Sequence, residues 1–411
     1  MAMDNHLQTA KDDIIRKLAL REDEFKSSLA QGDRLGFQRM IEAAFRSVVR
    51  ENRISFNREE QDEVLSEVIT YFIGFGPIEI LLKDPDVTEI MINGPSQVYV
   101  ERKGNLELTD ITFENEAQVA HIIEKIISPM GRRISEFEPF VDARLKDGSR
   151  VNIVRSPVSR IGPVLTIRKF SYRVLRAEDL IKLGSLTSLA AQFLKACVIA
   201  RINIIIAGGA GTGKTTLLNA LIDFIPENER LITIEDTREL IVSRKHVVPM
   251  ETRPFNIEGK GEISIRDLFK NALHMRPDRV IAGEVRGDEV LDMIQAMNSG
   301  HEGSMTTLHA SSPVEALDRL EILTLMGSSN NISSEVARRQ IVGAVDMVVY
   351  LTRFPDGSRR VTQISEVAKS KEYSVQDIFV YDDNSKALKA TNIKPHFANK
   401  LKKSANYVMQ D

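Results

Sequence analysis

The stretch Gly208-Gly209-Ala210-Gly211-Thr212-Gly213-Lys214-Thr215 decides how this chain is read. It fits the pattern G-x-x-x-x-G-K-[ST] of a phosphate-binding loop. Asn203-Ile204-Ile205-Ile206-Ala207 before it predicts a buried strand, and Thr216-Leu217-Leu218-Asn219-Ala220-Leu221 after it predicts a helix. In that setting the glycines let successive backbone N–H groups converge on phosphate oxygens, and the helix N-terminus adds a favourable dipole. Gly208, Gly209, Ala210, Gly211, Thr212, Gly213, Lys214, Thr215 and Thr216 are the expected nucleotide-binding residues. Lys214 is placed to reach the β- and γ-phosphates of ATP, and the Thr215 hydroxyl to hold Mg²⁺.

Working outward, Leu231-Ile232-Thr233-Ile234-Glu235-Asp236 predicts a strand ending in two carboxylates. Arg279-Val280-Ile281-Ala282-Gly283-Glu284 predicts another ending in one. The terminal Asp of the usual Walker B strand is missing here, and Gly283-Glu284 takes its place. Carboxylates at the C-terminal ends of strands beside a phosphate-binding loop can bind Mg²⁺ or polarise the attacking water. Glu284 is the expected Mg²⁺ ligand or water-orienting group and Glu235 the expected general base. On sequence alone the two roles are interchangeable. A further strand-like run carries Thr306, Thr307 and His309, where a phosphate sensor would lie, with His301 eight residues before His309. That spacing is not one of the usual metal-ligand patterns.

Apolar runs at 202–207, 231–234, 279–282 and 347–351 alternate with helical patterns. This predicts an α/β domain with a mostly parallel sheet. Upstream, 97–102 and 106–110 alternate around Lys103-Gly104-Asn105 and predict a hairpin. Val119, Ile122, Ile123, Ile126 and Ile127 predict an amphipathic helix stopped by Pro129, and strands are expected near 150–155 and 164–168. That is a smaller α+β domain. Before it, Val64, Leu65, Val68, Ile69 and Phe72 mark one face of a helix in a charged helical extension. The expected division is 1–72 helical extension, 73–170 α+β domain, 171–182 linker, 183–355 ATPase domain and 356–411 a tail packing on it.

The chain has 411 residues and a formal net charge of −3. It is too nearly neutral for a protein coated for general nucleic-acid binding. Between Arg132 and Arg176, however, lie nine Arg, two Lys and four acids, a local excess of seven positive charges. Stacking aromatics there are few (Phe137, Phe140, Phe170 and Tyr172), which argues against a stable nucleic-acid groove. The alternative is that some of these arginines reach ATP on a neighbouring subunit, where a trans arginine stabilises charge on the γ-phosphate. The single cysteine, Cys197, excludes a disulfide framework and multi-cysteine zinc sites and suggests a reducing, cytoplasmic setting. No signal-like start and no run of about 18 apolar residues occurs.

These motifs together resemble the secretion ATPases that power type II secretion, type IV pili and type IV secretion. Thr233-Ile234-Glu235-Asp236-Thr237 is similar to that family's Asp box, and Gly283-Glu284-Val285-Arg286-Gly287 to its atypical Walker B. Gly300-His301 through Thr307-Leu308-His309-Ala310 is similar to its His box. Within the family the chain resembles the Tad (Flp) pilus assembly ATPases of the CpaF type. The stretch Glu251-Thr252-Arg253-Pro254-Phe255-Asn256-Ile257-Glu258-Gly259-Lys260-Gly261 carries that likeness. So do Gly74-Phe75-Gly76-Pro77-Ile78-Glu79 and Thr88-Glu89-Ile90-Met91-Ile92-Asn93-Gly94.

The resemblance implies a RecA-like C-terminal domain, a PAS-like N-terminal domain and a homohexamer with ATP between subunits. It implies a cytoplasmic motor, peripheral at the inner membrane through a pilus platform protein. Arg160 and Arg168 best match the family's N-terminal arginines that close on nucleotide, with Arg150 and Arg155 as second choices. Catalytic roles are implied for Glu235, Glu284 and His309. His274 departs from the family, whose members more often have Arg there. The alternatives are a type IV secretion ATPase exporting protein or DNA, and a nucleic-acid motor.

Overall fold

The computed structural model describes residues 13, 14, 17, 18, 34–52, 55–72, 74–102, 104–130, 132–170, 175–253, 255, 260–328, 332–369 and 373–408. It forms two compact units that part between Phe170 and Ser171. No helix among the described residues is long and apolar enough to cross a membrane.

The first unit contains α1 (Arg34–Asn52) and α2 (Arg58–Phe72). Asn57 and Glu60 cap α2 reciprocally: each side chain accepts from the other's backbone N–H, at 2.9 and 2.8 Å. Val64 and Val68, on the expected apolar face, are buried with Ile14, Leu18, Ile41, Phe45 and Val48.

Next come α3 (Glu79–Lys83), β1 (Val87–Asn93), β2 (Val98–Arg102), β3 (Asn105–Leu108), α4 (Glu116–Ile127), β4 (Phe140–Arg144), β5 (Arg150–Val154) and β6 (Val164–Arg168). The strands form one antiparallel sheet in the order β3-β2-β1-β6-β5-β4. Ile90, Ile92, Val98, Val100, Val151, Ile153, Leu165 and Ile167 alternate onto one buried face. All five apolar residues predicted for the helical stripe of α4 are buried in the same core. The hairpin, the helix and the strands at 150–154 and 164–168 lie where the sequence predicts them. β1 and β4 are additional.

The second unit contains α5 (Ala177–Lys182), α6 (Ser188–Ile199), β7 (Ile204–Gly208), α7 (Lys214–Ile222), β8 (Leu231–Glu235), β9 (Val247–Glu251), α8 (Ile265–His274), β10 (Arg279–Ala282), α9 (Val290–Asn298) and β11 (Met305–His309). After these come α10 (Pro313–Gly327), α11 (Ser334–Ala344), β12 (Met347–Arg353), β13 (Arg359–Val367), β14 (Val375–Asp382), β15 (Ala387–Ala390) and α12 (Ala398–Ala405). Nine strands make one sheet, ordered β15-β14-β13-β12-β7-β11-β10-β8-β9. It is parallel from β12 to β9 and antiparallel from β12 to β15. β7, β8 and β10 are buried at every residue, as strands covered on both faces must be. This is the RecA-like α/β architecture. The strands of the expected tail continue its sheet. Of the expected linker, 171–174 lies outside the described residues, and α5 buries Ala177 and Leu180.

The N-terminal edge of this sheet is held by a buried ion pair. Arg279 is fully buried, and its Nε and Nη2 donate to Glu229 at 2.5 and 3.0 Å. Its Nη1 donates to the Val198 carbonyl at 2.7 Å. Removing one partner strands a buried charge, a change that costs about 3–5 kcal/mol. Glu229→Ala is therefore expected to lower the urea midpoint of the second unit by that much stability, with an unchanged slope. A midpoint within error of wild type would contradict the assignment.

Candidate active site

The C-terminal edge of the parallel sheet gathers the candidate groups. β7 is flanked by β12 on one side and β11 on the other, with β10 and then β8 beyond β11. The loop after β7 turns through left-handed glycines, Gly211 at φ 66° and Gly213 at φ 95°, into α7. A side chain at Gly208 would begin 2.6 Å from the Leu351 carbonyl oxygen, so close strand packing as well as the turn requires glycine. Lys214, the first residue of α7, is buried. Its Nζ donates to the carbonyls of Gly208 and Gly209 at 3.1 and 2.8 Å.

His309 ends β11 beside this lysine. Its Nδ1 lies 3.5 Å from Lys214 Nζ, and its Nε2 lies 2.9 Å from Glu284 Oε1. Burial and the Lys214 ammonium hold His309 below the usual imidazole range, against the opposing pull of Glu284. A neutral ring therefore bridges the loop lysine and the carboxylate after β10. Thr307 Oγ1 donates to the Gly283 carbonyl at 2.7 Å and so fixes the chain that carries Glu284. Thr306 is fully buried.

Glu235 ends β8 and is 4% exposed. Its Oε1 accepts backbone N–H bonds from Glu239 and Leu240 at 2.8 and 2.9 Å. Burial nonetheless pushes its pKa up to about 7. Gly283 packs against it: a side chain there would begin 2.9 Å from Glu235 Cγ. That contact explains why glycine stands where a Walker B strand usually ends in Asp. The neighbouring Asp236 faces differently. It pairs with Arg286 and accepts from Thr252 Oγ1 at 2.9 Å.

The sheet edge thus brings together Lys214, Glu284 and His309, with Glu235 beside Gly283. His301 lies apart from this group. It precedes the N-terminal end of β11, and His309 closes the other end of that strand, about 13 Å away at ordinary strand rise. Its carbonyl accepts from Ser304 Oγ at 2.7 Å, and the next turn is pinned by Asn203 Oδ1, which accepts from Gly303 and Ser304 N–H groups at 2.7 and 3.1 Å.

Arg160 and Arg168 belong to the first unit, and they are not neighbours within it. Arg168 ends β6, whereas Arg160 lies in the loop before β6 begins. Register instead aligns Arg168 with Arg150, and Arg150 with Arg144, across β6, β5 and β4. On the other side Arg168 Nε lies 3.7 Å from Glu89 Oε1. Sequence spacing gave the number of arginines but not this row. Arg155 follows the last residue of β5.

Among the described residues no cluster of three or more His, Cys, Asp or Glu could hold a metal alone. The donors here fit Mg²⁺ differently. The Thr215 hydroxyl and a Glu284 carboxylate oxygen are hard ligands, and Mg²⁺ commonly completes its shell with substrate phosphates and waters. Pro254 and Asn256-Ile257-Glu258-Gly259, from the Tad-like stretch, lie outside the described residues. Of that stretch, Arg253 bridges back to Ile263, and its Nε donates to the Gly261 carbonyl at 2.7 Å.

The family model for type II/IV secretion system proteins matches residues 73–384. The type IV secretion system protein VirB11 of Bartonella henselae is 32% identical over 344 residues, covering 74% of this chain and 94% of that protein. A Mycobacterium tuberculosis protein (strain CDC 1551 / Oshkosh), provisionally named for conjugal transfer, is 33% identical over 318 residues, or 76% of this chain and 89% of its own length. The X-ray structure of the Yersinia pseudotuberculosis ATPase DotB shares the fold. It has a TM-score of 0.51 and 17% identity, over 77% of this chain and 81% of that one. A match running through both units makes the chain a member of the type II/IV secretion system family of ATP-hydrolysing enzymes.

Proposed function

We propose that this enzyme is a homohexameric motor that hydrolyses ATP with Mg²⁺ to drive Tad-type (type IV) pilus assembly. It works in the cytoplasm, peripheral at the inner membrane through a pilus platform protein, and holds no stable nucleic acid. The chain is used in the five parts expected from its sequence. The observation that carries the catalytic reading is the Lys214–His309–Glu284 chain at the phosphate-binding loop, with buried Glu235 alongside.

Gly208 to Thr216 bind the nucleotide, and Lys214 turns from its two carbonyls to the β- and γ-phosphates. Thr215 and Glu284 hold Mg²⁺, which screens phosphate charge. Glu235 takes the proton of the attacking water, and His309 orients Glu284 and senses the γ-phosphate. Transition-state charge is further stabilised in trans by Arg168 with Arg150 and Arg144. Like charges directly opposite on neighbouring strands repel, so this row is well suited to an anion. Arg160 and Arg155, off the row, are weaker candidates.

The pilus assignment is supported by the Glu251–Gly261 stretch, which resembles that of the Tad pilus assembly ATPases. A type IV secretion ATPase exporting protein or DNA is the second reading, favoured by the name of the VirB11 relative. A strain carrying Lys214→Ala separates them: loss of surface pili supports the first, and intact pili with lost export overturns it.

The intersubunit site has its own test. Turnover per protomer should climb with protein concentration, and Arg168→Ala should lower it about 10³-fold or more while ATP still binds. Arg160→Ala should do far less. A chain that hydrolyses ATP at full rate as a monomer by mass would overturn the trans arginine.

A further inference from the structure

β12 runs beside β7 with Leu351 opposite Gly208, so the chain two residues later reaches the flank of the phosphate-binding loop. There the β12–β13 hairpin sets Arg353 directly opposite Arg359. Both lie against the loop. A side chain at Gly211 would begin 3.6 Å from Arg353 Nη1, and one at Gly213 would begin 3.8 Å from Arg359 Cδ. Both arginines are exposed.

The next residue, Arg360, is engaged elsewhere. Its Nη1 donates to Tyr381 Oη at 3.1 Å and to the Lys386 carbonyl at 2.9 Å. Its guanidinium stands 5.4 Å from the Phe354 ring centroid and 5.8 Å from that of Tyr381. The turn closes through Phe354 N–H donating to the Ser358 carbonyl at 2.8 Å. Arg360 thus anchors the hairpin, and successive strand residues point to opposite faces. The anchor fixes the strands that present Arg353 and Arg359 to the loop.

Two like charges opposite each other on adjacent strands are unfavourable. The loop they flank contains no acidic residue. Lys214 and the N-terminus of α7 add positive potential at the same place. Such a cluster is stabilised by an anion, and the anion that ATP hydrolysis brings to this loop is a polyphosphate. We propose that Arg353 and Arg359 are nucleotide-binding residues, supplied by the same subunit as the loop, that attract and hold the phosphate chain of ADP and ATP. This rests on the loop as the nucleotide site. Because the charges act on bound product as well as substrate, their effect falls on affinity and KM rather than on kcat.

The test titrates a fluorescent ADP analogue into the full-length chain and an Arg353→Gln/Arg359→Gln variant at two salt concentrations. Charge-assisted contacts of this kind predict that Kd rises about tenfold or more. The salt dependence of binding weakens in the same variant. Arg353→Lys/Arg359→Lys keeps the charge and recovers most of the affinity, which shows that the loss is not misfolding. An unchanged Kd in the Gln variant overturns the proposal. So does equal loss in the Gln and Lys variants, or equal loss of affinity for adenosine, which has no phosphate. Failure of the unaltered protein to bind ADP would instead count against the loop itself.

Discussion

Lys214→Ala should reduce ATP turnover to about one-hundredth to one-thousandth of wild type or lower, the range found when one preorganised charge-stabilising donor is removed. The side chain is buried and its ammonium satisfies the Gly208 and Gly209 carbonyls from within the loop. It also stands 3.5 Å from His309, so its removal cuts a link between the loop and the Glu284 side of the site. Alanine keeps the helix-start backbone of α7, whose N-cap Gly213 is left-handed and unaffected by the change. The lost function should therefore appear without lost fold. Phosphate release measures the first, and circular dichroism with a urea midpoint measures the second. A variant that hydrolyses ATP at the wild-type rate would remove Lys214 from the mechanism and, with it, the reading of the loop. Nucleotide affinity should fall as well, because the ammonium meets phosphate in both ground and transition states.

The loop, its strand and its helix were legible because they are contiguous. Eight residues carry the turn chemistry, and the apolar run before them carries the burial. Glu235 and Glu284 were legible for the same reason: each ends a short buried run. What sequence could not supply was register. Arg144, Arg150 and Arg168 are six and eighteen residues apart in the chain, yet they form one row because β4, β5 and β6 pair with those residues opposite. Arg160 stands eight residues from Arg168 but at the other end of β6. Arg353 reaches the phosphate-binding loop only because β12, far downstream, pairs with β7. His301 and His309 show the converse: a shared motif spans a whole strand, so its two ends meet different surroundings. The two missed strands of the first unit have a similar cause. β4 has no fully buried residue, and β1 follows directly on Pro85 and Asp86, so neither stands out as an apolar run.

Glu235→Gln is expected to do two opposite things at once: abolish most turnover and stabilise the fold above neutral pH. Burial raises the carboxyl from 4.5 to about 7 although two backbone N–H groups favour the ionised form. A base with a pKa near the working pH is well matched to proton removal from water, and its loss typically costs about 10²–10⁴ in rate. Wild-type turnover should accordingly rise with pH through about 7. The same shift sets the stability. Below 4.5 the carboxyl is protonated folded and unfolded, so it makes no difference. Between 4.5 and about 7 the unfolded chain has released the proton and the folded chain has kept it, so stability falls as pH rises. Above that the full difference, about 3 kcal/mol, is lost. Gln keeps an oxygen for the Glu239 and Leu240 N–H groups, fits the space left by Gly283, and carries no charge to bury. Its unfolding midpoint should therefore exceed wild type at pH 8 by more than it does at pH 5. Glu284→Gln, beside His309, tests a different role. It should instead weaken the Mg²⁺ dependence of ATP binding. If Glu235→Gln kept wild-type turnover and showed no gain at alkaline pH, Glu235 would not be the buried, proton-accepting carboxylate.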